Sequence, residues 1–96
     1  MKYIVTKIKA KEGKPQYSAW DPYNLTRFGS INFEINGVRF KCDTYDRYTD
    51  DLYVNDGGYH LRGDIRMEVC EFLAKIWDKK VAEFDNLPMA IKAFVP

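Results

Sequence analysis

The 96 residues have room for one domain, 1–96, and with 46% hydrophobic and 30% charged residues they read as globular rather than disordered. No apolar run nears the roughly 18 residues of a membrane span, and the opening Met1–Thr6 turns charged again at Lys7, too early for a signal peptide. Two cysteines, Cys42 and Cys70, are too few for a disulfide-stapled secreted domain, so the expected setting is the cytoplasm, with no membrane partner.

Tyr3 to Ala10 alternates, with Ile4, Thr6 and Ile8 on one side and Tyr3, Val5, Lys7 and Lys9 on the other, which predicts a strand. Lys11-Glu12-Gly13-Lys14-Pro15 breaks it. Residues 16–29 have no clear period; Asp21-Pro22 marks a turn. Asn36-Gly37 is the clearest local signal, because both inner positions of a type I′ turn need positive φ and this pair tolerates it best. The two-residue loop sets Ile35 against Val38, Phe33 against Phe40 and Ile31 against Cys42. The other face then pairs Glu34 with Arg39 and Asn32 with Lys41.

A second hairpin is predicted around Asn55-Asp56-Gly57-Gly58, with Val54 opposite Tyr59 and Leu52 opposite Leu61. It leaves Tyr53, His60 and Arg62 outward. Asp43–Asp51 between the hairpins reads either as strand extension or as an acidic loop. From Asp64 the period becomes helical. Ile65, Val69, Phe72 and Ile76, with Cys70, Leu73, Trp77, Val81 and Phe84, form one apolar stripe. Asp64 is the expected N-cap and Asn86, before Pro88, the expected stop. Met89 to Val95 fits a short helix or a closing strand. The fold class is therefore α+β: an antiparallel meander of four or five strands packed on one long helix over about 64–85. An exposed edge strand would let two copies pair.

The net charge of +1 hides an uneven distribution. Residues 1–14 carry five lysines against Glu12, residues 43–58 five aspartates against Arg47, and residues 59–96 balance. Local fields, more than the total, would steer a partner.

Chemistry-bearing motifs are sparse. Cys42, Cys70 and His60 lack the short spacings of a metal site, and both cysteines fall on apolar faces where a small buried thiol is ordinary. The aspartates do not follow a calcium-loop pattern, and no nucleophile elbow or phosphate loop is present. The sequence thus predicts no enzyme, no cofactor and no metal.

Two surfaces remain. One is acidic and rich in tyrosine: Asp43, Tyr45, Asp46, Tyr48, Asp50, Asp51, Tyr53 and Asp56. Carboxylates interleaved with phenol rings suit a basic protein patch, or a nucleic-acid groove whose phosphates they imitate. The other is basic and aromatic: Lys7, Lys9, Lys11, Lys14, Tyr17, Trp20, Tyr23 and Arg27, where lysines attract phosphate and rings stack on bases. The modest net charge weighs against the second. The leading expectation is a small protein that masks a basic or nucleic-acid-handling partner through the acidic face; the alternative is a single-stranded nucleic-acid binder using the basic one. In general character the chain resembles the small, motif-poor inhibitors of phages and mobile elements, a likeness of size and surface that covers no alignable residues.

Overall fold

A computed structural model describes residues 2–96. Six strands form one antiparallel sheet: β1 (Tyr3–Glu12), β4 (Phe28–Ile35), β5 (Val38–Tyr45), β6 (Asp51–Val54), β7 (Gly57–His60) and β8 (Ala82–Phe84). The spatial order is β7-β6-β5-β4-β1-β8. Between β1 and β4 the chain leaves the sheet as an arm, closed by the two-residue strands β2 (Gln16–Tyr17) and β3 (Leu25–Thr26). Helix α1 (Gly63–Ile76) and the short α2 (Met89–Lys92) complete the domain.

The β4–β5 hairpin has the expected turn and register: Asn36 and Gly37 take φ of 49° and 81°, and all five predicted pairs are present. Its inward residues Ile31, Phe33, Ile35, Phe40 and Cys42 meet Val69, Phe72, Leu73 and Ile76 of α1 in the core. Phe33 stacks on Phe40 with centroids 5.2 Å apart and touches Phe72 at 5.8 Å. Among the described residues the opposite face of the sheet carries no second layer. Asn32, Arg39, Lys41, Asp43 and Tyr53 lie there in solvent.

The sheet has six strands where four or five were expected, and four further expectations are corrected. In β1 a bulge between Thr6 and Lys9, with Lys7 at φ 52°, resets the alternation. Val5 and Ile8 are both buried and Ile4 is exposed, so simple period two misplaced the faces after one extra residue. The second hairpin turns tightly at Asn55-Asp56, pairing Val54 with Gly57 and Leu52 with Tyr59, two positions from the predicted register. Asn55 bears the left-handed conformation (φ 52°) of this turn, and both glycines belong to β7.

The single long helix is also corrected: α1 ends at Ile76, and Ala82–Phe84 is a strand. Val81 and Phe84 fit helical spacing, yet buried Ala82, exposed Glu83 and half-buried Phe84 alternate, and β1 offers an open edge. Pairing Tyr3 with Phe84 and Val5 with Ala82 satisfies backbone groups that a helix would leave bare. Phe84 still reaches Phe72, at 4.9 Å. Finally, Asp64 lies in the first turn of α1, not at its cap; Arg62 occupies that position without a side-chain bond, and Gly63 turns the chain at φ 55°. Asp64 there complements the positive end of the helix dipole.

Residues 43–51 do both of the things their sequence allowed. Asp43–Tyr45 extends β5, and Asp46-Arg47 forms a turn closed by Tyr45 and Tyr48. Both turn residues have positive φ (49° and 67°) without a glycine. Thr49 then drops into the interior, its hydroxyl 2.8 Å from the Asp43 carbonyl oxygen and 2.9 Å from that of Asp51.

Candidate functional site

The eight acidic-face residues divide among four settings. Asp43, Asp51 and Tyr53 project from the open face of β5 and β6. Asp43 lies 3.8 Å from Lys41 Nζ, and Asp51 Oδ1 is 3.0 Å from His60 Nδ1. Tyr45 and Asp50 sit at the end of the sheet, where Arg66 of α1 holds them. Its Nε donates to Asp50 Oδ1 at 2.7 Å and its Nη2 to the Tyr45 hydroxyl at 2.7 Å. Tyr45 in turn donates to Asp50 at 3.0 Å. Burial first, and then the Asp50 carboxylate, raise the Tyr45 phenol above its ordinary pKa.

Asp46 serves the fold. Its Oδ1 accepts the Arg27 backbone N–H at 3.0 Å and its own N–H donates to the Arg27 carbonyl at 2.8 Å, tying the root of the arm to the turn. Tyr48 is exposed beside it, with the Arg66 guanidinium 5.8 Å from its ring. Asp56 stands apart, in the β6–β7 turn at the far end of the sheet.

The basic set is also dispersed. Lys9 and Lys11 lie on the open face of β1, opposite Asn32 and Ser30. Lys7, in the bulge, pairs with Glu34 at 3.0 Å. Arg27 is held by Glu12 at 3.4 Å, and the same carboxylate takes Arg47 at 3.3 Å. Lys14 is exposed at the start of the arm.

The arm itself is the most unusual surface. Tyr17, Trp20, Tyr23 and Leu25 are 62%, 81%, 88% and 53% exposed. Single exposed apolar residues are common, but four large ones on one short excursion are a concentration that a monomer rarely leaves in water without use. Trp20 touches the domain edge-on, its ring 6.1 Å from Phe28 at 87°. A groove of about 310 Å³ opens there, lined by Trp20, Asp43, Tyr45, Asp50 and Asp51. Residues assigned to two separate surfaces by sequence therefore line one groove.

Arg66 and Glu12 were not singled out by sequence. Each is an unremarkable charge in its own segment, and only the tertiary fold gives it two partners from distant elements. No local pattern could have flagged either.

Cys42 and Cys70 are buried and unpaired with each other. Burial pushes the Cys42 thiol up to about 12. Among the described residues no group of three or more His, Cys, Asp or Glu side chains is placed to hold a metal ion. Among the described residues no helix is long and apolar enough to cross a membrane. In comparisons with known proteins the chain matches no family model, no curated protein and no solved structure.

Proposed function

We propose that this protein is a non-enzymatic binding protein that covers the surface of another protein, with the aromatic arm as anchor and the acidic strand ends as rim. The partner surface is basic, of the kind that handles nucleic acid. The observation that carries this reading is the exposure of Tyr17, Trp20 and Tyr23 on one arm, with Trp20 lining a groove together with Asp43 and Asp51. Aromatic rings left in water are the residues from which interfaces draw most of their energy, because each buries a large rigid area at small entropic cost. Carboxylates around them would accelerate encounter with a cationic surface and lose effect beyond about 8–10 Å at ordinary ionic strength. The role of Asp46, Tyr45 and Asp50 is supporting: they fix the arm root and one groove wall.

A photo-crosslinking residue in place of Tyr23, introduced in cells that make the protein, tests this directly. The expected product is a salt-sensitive adduct with a basic protein, reduced by Asp43→Lys with Asp51→Lys. Crosslinking from an exposed helix position such as Glu71, with none from the arm, would discard the arm as the contact surface.

A second reading has its own support. The same three rings follow Lys14 along the chain and could stack on bases, worth ~1–3 kcal/mol each. Asp43 and Asp51 repel phosphate at that groove, which places this reading second. Nucleic-acid adducts from position 23, with saturable quenching of Trp20 by an oligonucleotide at low salt, would reverse the order.

A further inference from the structure

We infer that the groove between Trp20 and the strand ends seats an arginine side chain of the partner. The inference rests on the protein-binding reading above and names the group that the groove selects. Trp20 packs T-shaped with Phe28 and is 81% exposed, so most of its indole surface is open to a planar cation. Below it stand three carboxylates with unequal commitments. Asp50 is held by Arg66 at 2.7 Å and Asp51 lies 3.0 Å from His60, whereas among the described residues Asp43 has only Lys41 at 3.8 Å and a largely exposed side chain. Asp43 is therefore the carboxylate free to accept both N–H groups of an incoming guanidinium.

The chain already holds one guanidinium against this wall. Arg66 uses Tyr45 and Asp50 together, one N–H to each, with its Cζ 5.8 Å from the Tyr48 ring centroid. That arrangement is an independent demonstration that the phenol and carboxylate at this sheet end satisfy a planar fork. A lysine ammonium would find the charge but not the stacking or the paired acceptor, and its tighter hydration opposes entry to a half-enclosed groove.

The test uses the intact protein and a short, unstructured Gly/Ser peptide carrying arginines, with lysine and citrulline counterparts. Trp20 emission follows binding in the wild type, and calorimetry follows it in variants lacking Trp20. The expected result is saturable binding of the arginine peptide, about two- to fivefold tighter than lysine, and none by citrulline. Trp20→Ala and Asp43→Asn should each weaken the arginine peptide about two- to fivefold. Asp56→Asn, with the same change in net charge far from the groove, should leave affinity unchanged. Equal binding of arginine and lysine peptides, or equal losses in Asp43→Asn and Asp56→Asn, would reduce the effect to diffuse attraction and overturn the seat. If arm crosslinks to a protein persist while these preferences fail, the arginine seat falls and the masking role stands. Loss of both removes both.

Discussion

Arg66 and Asp50 meet at 2.7 Å, joining the first turns of α1 to the end of the sheet. The pair is partly open to water, so its Coulombic contribution is screened, and the accompanying bond to Tyr45 adds geometry more than energy. Arg66→Gln is expected to cost about 1 kcal/mol in urea unfolding. A double-mutant cycle with Asp50→Asn should return a coupling of about 0.5–1 kcal/mol. Coupling near zero would mean that Arg66 acts by packing alone.

Gly29 faces Glu12 at the point where the arm leaves the sheet. A Cβ on Gly29 would collide with the Lys11 carbonyl oxygen, so Gly29→Ala must push β1 and β4 apart. The expected loss is about 1–3 kcal/mol by thermal or urea unfolding, with lower fluorescence anisotropy of Trp20 as the arm root loosens. Full stability in this variant would show that the two strands yield at no cost.

Leu73 and Ile65 belong to one apolar stripe in sequence but not in the fold. Leu73 is fully buried while Ile65 is 46% exposed. Leu73→Ala should cost about 2–5 kcal/mol and Ile65→Ala under about 1. Similar losses at both positions would contradict the observed orientation of α1.

Alkaline pH should destabilise the fold through Cys42. Its thiol ionises near 9.0 when unfolded but only near 12 when folded, so above about pH 9 the unfolded chain has fewer bound protons and is favoured. The contribution is fully present below pH 9, falls by about 1 kcal/mol at pH 10, and is lost as pH rises through about 12. Tyr45, also raised, acts in the same direction at somewhat higher pH. Cys42→Val should flatten this slope between about pH 8 and 10, measured by urea midpoints; an unchanged slope would assign the effect elsewhere.

What could be read from the sequence follows how local each determinant is. Asn36-Gly37 dictates its own turn and thereby five cross-strand pairs, all of which are found. The amphipathic character of α1 was equally plain, because five buried residues recur within fourteen. The end of that helix was not, since Val81 to Phe84 fits two periods and the deciding factor is the distant edge of β1. The β1 bulge and the Asn55 turn depend on single residues adopting positive φ without glycine. For the candidate site, the residue types were legible but their grouping was not. Asp46 and Asp50 look like Asp43 in sequence, yet the first pair is occupied by Arg27 and Arg66.

The place of β1 in the sheet bears on how the protein can be made. β1, which is synthesised before the other strands of this sheet, lies between β4 and β8, and Tyr3 pairs with Phe84. Until residues 82–84 emerge, β1 has one unsatisfied border along Tyr3–Val5, able to recruit a strand from a neighbouring nascent chain. Translation that stalls within α1 would therefore yield a sticky fragment, whereas a few more codons would seal it.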